Sequence, residues 1–445
     1  MSDEGLSRDI RKWDLVALLV NVTVGAGIFK LPADVQKAVG NYSLLAFVAC
    51  AVVIALIALC FAEVASRFTG TGGPYLYAKE TFGSSLGFLV GWLMWLTRIA
   101  GFATLLLVFI SYLGYFWPSA ETGLPRTAII IGLVAFLTVI NLIGVKESTR
   151  TSEVFTVSKL VPLLVFVLVG LFLISRASFT LDAGTDFASF SAAVFILIYA
   201  FSGFEAVLVN TGEIGQPQRV IPFALITALG ACVVLFLLIQ IVCIGTLPQL
   251  ATSERPLADA AATFLGAWGP TMISAGALVS VFGTLNVIML ASSRLPFAMA
   301  NHGQLPAMLT RVHPRFRTPH ISIVIFAFAV LLFALPGTFI YAVKFTVITR
   351  VIVFASTCVA LPILRRRAKT AAPRMTEDEP HPFEIPGGIL IAIVCVCLCL
   401  WLLANSGWVE IRDVSIAMAV GVIVYAATRL GRRKGEDLTG AGEGT

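Results

Sequence analysis

The chain has 445 residues and a net charge of +6, with 58% hydrophobic and only 13% charged residues and a mean hydropathy of +0.93; that balance excludes a water-soluble enzyme. The longest polar interval, between Arg365 and Glu384, is too short for a folded soluble domain, so a fused catalytic or sensor domain is excluded as well. The basic residues are spread over loops and not gathered on one folded face, so nucleic acid is not an expected partner.

Residues 1–13 form a polar tail with no cleavage site before the first apolar run, so the first helix is expected to stay in the mature protein. Apolar runs bounded by charge, glycine and proline predict spans near 14–38, 43–66, 84–116, 126–145, 153–175 and 187–212. Six more follow near 220–246, 269–300, 319–335, 338–364, 386–404 and 411–430. The expectation is an all-α polytopic membrane protein with twelve crossings and both termini on one side. Most of the 31 lysines and arginines then fall on the side of the termini, among them Arg8, Arg11, Lys12, Lys146, Arg365, Arg366, Arg367, Arg374 and Arg432. Only Lys37, Arg126, Arg176, Arg255 and Arg412 lie on the other, which predicts cytoplasmic termini.

The first and sixth spans are unusual. Asn21-Val22-Thr23-Val24-Gly25-Ala26-Gly27 puts two glycines near mid-membrane, and Tyr199-Ala200-Phe201-Ser202-Gly203-Phe204-Glu205 repeats the feature with a carboxylate. Glycine-interrupted helices at matching places in two halves point to an inverted-repeat transporter with a midplane site. The predicted division is a first repeat over 14–175, a second over 187–364, a basic loop 365–385, two extra helices within 386–430 and a tail over 431–445. The eight cysteines sit inside apolar runs and are read as small hydrophobes. The alternation Cys395, Cys397, Cys399 makes no metal site by itself, because residues two apart on a helix point away from each other.

Several short motifs fall in a fixed order along the chain. Gly25-Ala26-Gly27-Ile28-Phe29 with Pro32 comes first, then Gly72-Gly73-Pro74-Tyr75-Leu76-Tyr77 with Phe82-Gly83, then Gly212-Glu213-Ile214 with Pro217, Arg219 and Pro222. Ser293-Arg294, Asn301-His302-Gly303-Gln304-Leu305-Pro306, His313-Pro314 and Arg317-Thr318-Pro319 complete the set. Taken together the chain resembles the amino acid, polyamine and organocation transporter superfamily. The resemblance implies five plus five inverted helices followed by two more, an amino acid as substrate, and no cofactor or metal. Where some members carry serine in the middle of the first motif this chain has Ala26, which leaves carboxylate binding to the backbone.

A helix broken in the membrane offers unpaired N–H groups at the head of one half and unpaired carbonyls at the end of the other. The N–H groups of Gly25, Ala26 and Gly27 are therefore expected to bind a carboxylate. Carbonyls near Tyr199, Ala200 and Ser202, with that of Thr23, are expected to take an ammonium, and Gly203 is counted among the substrate-binding residues. The resemblance makes an aromatic at the second break a lid, Tyr199 before Phe201, although both can simply fill space. It also places Arg98 at the side-chain end of the site, where it disfavours cationic substrates.

Six basic residues lie inside predicted spans, Lys30, Arg98, Lys159, Arg294, Lys344 and Arg350, against the acidic Asp34, Glu63 and Glu205. Charges there are costly unless paired or hydrated. Lys30 and Asp34, four apart, are expected to pair on one helix face, and Arg294 to reach the cytoplasmic interface. Lys159 lies where the resemblance puts a proton-coupling lysine, in the place of the cation of sodium-coupled relatives; the alternative is a permanently charged lysine bonded to the carbonyls of the first break. Glu205 reads as a second proton carrier, as a partner of Arg98 or Arg350, or as a contact to a cationic substrate.

The expected function is proton-driven amino acid transport, the substrate neutral, across the plasma membrane. Exchange and acidic or cationic substrates stay open, as does the oligomeric state. A channel lacks its polar path here, and an embedded hydrolase lacks a His-Glu-x-x-His or Gly-x-Ser-x-Gly segment within a span.

Overall fold

A computed structural model describes residues 11–68, 70, 72–144, 149–179, 184–370 and 382–440. The regular elements among these residues are helices. The first apolar run is two helices, α1 (Lys12–Thr23) and α2 (Gly27–Val39), followed by α3 (Ser43–Ser66), α4 (Pro74–Phe82), α5 (Ser84–Leu113), α6 (Gly123–Ile143) and α7 (Thr149–Gly170). The sixth run is also divided, into α8 (Phe187–Phe201) and α9 (Phe204–Val207), which continues into a 3₁₀ segment Leu208–Glu213. Then come α10 (Pro217–Thr246), α11 (Pro256–Leu265), α12 (Trp268–Asn301), α13 (His320–Ala334), α14 (Phe339–Thr370), α15 (Gly388–Ala404) and α16 (Trp408–Gly440). Eight helical stretches among the described residues are long and apolar enough to cross a membrane, and three shorter apolar helices accompany them. The chain is a polytopic α-helical membrane protein.

The helices are built to keep their ends satisfied. Asp186 caps α8, its carboxylate accepting from the Ser189 N–H at 3.1 Å, and this contact holds the Asp186 carboxyl below its ordinary range. Gly144 closes α6 in a left-handed conformation, φ 76°, and Pro74, Pro217 and Pro256 begin their helices where no N–H partner is needed. Hydropathy did not anticipate α4 and α11, which are short and lie between predicted spans. In α4 the Gly-Gly-Pro-Tyr motif has a structural reason. The Gly72 N–H donates to the Val209 carbonyl at 2.9 Å, and Gly73, at φ +53°, sits so close to Val209 that a Cβ would lie 3.2 Å from its backbone. That loop is thereby seated on the segment following the second break.

α5 is the most enclosed long helix, packed by α4, α12, α13 and α14, whereas α6 and α16 turn most of their side chains outward. α1 lies along α10, and α2 and α3 lie along α8. Both breaks are therefore carried into the interior, where irregular backbone is tolerated because protein and not lipid surrounds it. Of the expected tails and basic loop, residues 1–10, 371–381 and 441–445 lie outside the described residues, as do Arg8, Lys146, Arg374 and His381.

Candidate functional site

The two breaks face each other. Gly203, at φ 118°, begins α9 and is pressed against α1, where an added Cβ would lie 3.0 Å from Val22 Cγ1 and 3.1 Å from the Val22 carbonyl. Gly27 heads α2 against α8, where a Cβ would lie 2.9 Å from the Ala200 Cα and 3.0 Å from the Tyr199 ring. Glycine at these two positions lets the broken helices touch backbone to backbone. Gly25 differs, because a Cβ there would meet nothing closer than the Val22 carbonyl at 3.7 Å.

The donors are displaced by one residue from the expectation. The Gly25 N–H is spent on the Thr23 carbonyl at 2.8 Å, because the chain makes a tight turn between the half helices. The first bond of α2 runs from the Phe29 N–H to the Ala26 carbonyl at 3.1 Å, so Ala26, Gly27 and Ile28 head the helix. Beside them the Thr23 hydroxyl is buried and has no hydrogen-bond partner among the described residues. The Ser202 hydroxyl donates to the Ile198 carbonyl at the end of α8.

Lys159, on α7, reaches the first break. Its Nζ donates to the Asn21 carbonyl at 2.7 Å and the Val24 carbonyl at 3.0 Å, and the residue is 2% exposed. The ammonium thus sits on the carbonyls left free where α1 ends, a place a bound cation would otherwise suit.

Phe201 does not face the breaks. It is fully buried, with its ring 5.1 Å from Phe236 and 6.2 Å from Phe47, because two residues along a helix turn a side chain to the opposite face from Tyr199. Tyr199 alone of the two aromatics lies against the head of α2.

A second polar group lies just beyond Gly203. Glu205 accepts from the Gly203 N–H through Oε2 at 2.9 Å and pairs through Oε1 with Arg350 Nε at 2.8 Å. The alternative between Arg98 and Arg350 as its ion partner is decided for Arg350, on α14. These three charged residues, with Met94, Thr97, Ala206 and Val353, line a cavity of about 40 Å³, room for about one water. The Thr97 and Thr349 hydroxyls meet at 2.8 Å across α5 and α14 beside it.

Lys30 does not pair with Asp34. Its Nζ reaches out of α2 to the Glu254 carboxylate and, at 3.1 Å, to the Glu254 carbonyl. Glu254 lies in a loop 224 residues away, and spacing along one helix carries no information about it. Lys344 similarly pairs with Glu410 at 3.3 Å. Glu63 was missed as an organising residue: it takes two bonds of 2.6 Å from Arg365, one of 2.9 Å from Arg67 and one of 2.9 Å from the Ile385 N–H. Tyr75 of the second motif donates to Gln304 of the Asn301–Pro306 motif at 2.9 Å, and burial raises its phenol above the ordinary value.

The amino acid permease family profile matches residues 10–427. A branched-chain amino acid permease of Bacillus subtilis (strain 168) is 26% identical over 95% of this chain and 93% of its own length. A methylthioribose transporter of the same organism is 28% identical over 95% and 93%. A serine/threonine exchanger, also from B. subtilis, is 30% identical over 72% of this chain and 75% of its own.

Proposed function

Because the chain belongs to the amino acid permease family, within the amino acid, polyamine and organocation superfamily, and is a membrane transporter and not an enzyme, we propose that it carries a neutral L-amino acid across the plasma membrane by alternating access, driven by protons. The observation that carries this reading is Lys159, whose ammonium occupies the carbonyls of Asn21 and Val24 at the first break. A protonated lysine closes that break as a metal cation would, and a neutral one holds it less strongly. Loading and losing one proton there biases two arrangements of the same backbone.

In this reading the substrate carboxylate binds the N–H groups of Ala26, Gly27 and Ile28 with the Thr23 hydroxyl, and the absence of a side chain at Gly25 leaves it room. The ammonium takes carbonyls at the end of α8 near Ser202 and Gly203, and Tyr199 covers the site. Arg98 and Arg350 against the single carboxylate of Glu205 leave one excess positive charge at the cavity, which opposes lysine and arginine as substrates. Glu205, held by Arg350 and Gly203, positions the second break. The architecture that goes with it is twelve crossings in two inverted groups of five, over 14–175 and 187–364, with two further helices and cytoplasmic termini.

A second reading, obligatory exchange, is favoured by the similarity to the serine/threonine exchanger. Competition for uptake into proteoliposomes, using all common amino acids with and without a pH gradient, tests the assignment. Neutral amino acids should compete, while lysine, arginine and decarboxylated or amino-blocked analogues should not. If putrescine or methylthioribose competed better than every amino acid, the zwitterion site would be wrong. Uptake that requires substrate on the far side and ignores the gradient would favour exchange.

A further inference from the structure

Three cysteines from three helices converge away from the breaks. Cys60 on α3, Cys358 on α14 and Cys395 on α15 are fully buried, and their sulfurs all lie within 4.8 Å of one another. The Cys60 and Cys395 sulfurs are 3.8 Å apart although 335 residues separate them in sequence. Cys397, on the same helix as Cys395, is exposed and takes no part.

We propose that Cys60, Cys358 and Cys395 form a binding site for one soft, thiophilic d¹⁰ metal ion. Sulfurs bound to a common ion at about 2.3 Å are themselves about 3.8 to 4.0 Å apart, in tetrahedral or trigonal arrangement. The Cys60 to Cys395 separation already has that value, and the remaining distances need to close by less than an ångström. Three thiolates without oxygen or nitrogen donors select soft ions over calcium or magnesium. Each cysteine that coordinates gives up its thiol proton to water, and no electron is transferred.

The surroundings give binding a consequence. Cys60 is about 5 Å of helix rise from Glu63, and Cys358 about 10 Å from Arg365, so the sulfurs lie next to the Glu63–Arg365 ion cluster on its inner side. An ion bound there ties α3, α14 and α15 together. α14 also carries Arg350, the partner of Glu205, so the metal fixes a helix that holds the second break. Occupancy should therefore raise thermal stability and slow transport.

The test uses the full-length protein in detergent, reduced, freed of reductant and equilibrated with Cd²⁺ or Ag⁺. Equilibrium dialysis should give one tightly held ion per chain, with an ultraviolet thiolate-to-metal absorption and a rise in the unfolding midpoint. Loss of even a supporting contact at a metal site costs about 10- to 100-fold in affinity, so C60S, C358S and C395S should each weaken binding at least that much, while C397S should not. Each serine variant is first checked for substrate counterflow without metal, and one that loses it is replaced by its alanine counterpart. No stoichiometric uptake by the parent, unchanged uptake in C60S, or dependence on Cys397 would each overturn the site. A Cys60–Cys395 disulfide found by mass spectrometry in place of metal binding would make the cluster a redox pair and overturn it as well.

Discussion

Replacing Lys159 should separate substrate binding from proton coupling. The ammonium donates to two carbonyls at 2.7 and 3.0 Å. A hydrogen bond from a charged group contributes about 1.5–3 kcal/mol and a neutral one about 0.5–1.5 kcal/mol, so loss of the proton weakens the hold on the break by about 2–3 kcal/mol over the two bonds. That shifts the balance between two arrangements by about 30- to 150-fold, enough for one proton to gate the cycle. With one proton per substrate, a gradient of one pH unit is worth about 1.4 kcal/mol and sustains about tenfold accumulation. In proteoliposomes Lys159→Ala should fall to equal concentrations on both sides, while counterflow at equal pH continues. Lys159→Arg should also uncouple, since a guanidinium keeps its proton at any working pH. Undiminished gradient-driven accumulation by Lys159→Ala would refute the reasoning, as would parent accumulation that follows sodium and ignores pH.

Gly25→Ala has room in the fold but places a methyl beside the head of α2, so it should abolish substrate binding without lowering the unfolding midpoint, read by scintillation proximity and thermal unfolding. Gly27→Ala drives a methyl into the Ala200 backbone and should destabilise by about 1–3 kcal/mol, the usual cost of overpacking. Glu205→Gln strands the Arg350 charge and should cost about 3–5 kcal/mol; Glu205→Gln with Arg350→Gln should recover part of it, and a strictly additive double variant would mean the pair is not coupled. Arg98→Gln removes the excess positive charge at the cavity, so lysine should begin to compete for uptake, and a variant that still rejects lysine would remove Arg98 from selectivity.

The two motifs that pair Tyr75 with Gln304 were visible as sequence patterns, but their contact was not, because Tyr75 lies on α4 and Gln304 in the loop after α12, 229 positions apart. The same holds at Lys30. Its neighbour Asp34 was the only carboxylate that helix geometry could offer, and the partner actually used comes from a loop on the other half of the chain. Phe201 and Tyr199 stood two residues apart in one apolar run, and nothing in that run said which of them the first break would face.

What local chemistry dictates was therefore legible in advance: apolar runs of membrane length, helices interrupted at Gly25–Gly27 and Ser202–Gly203, and a lysine and a glutamate set inside apolar runs. Each follows from hydration and backbone satisfaction, which act on a segment irrespective of its neighbours. The tertiary structure decided the partners: Lys159 on Asn21 and Val24, Arg350 and not Arg98 on Glu205, the Glu63 cluster, and three cysteines brought together from α3, α14 and α15. Charges and sulfurs interact over a few ångströms of space. The helix packing that brings them within that distance is set by the summed shapes of many apolar side chains, none of which names its neighbour in the sequence.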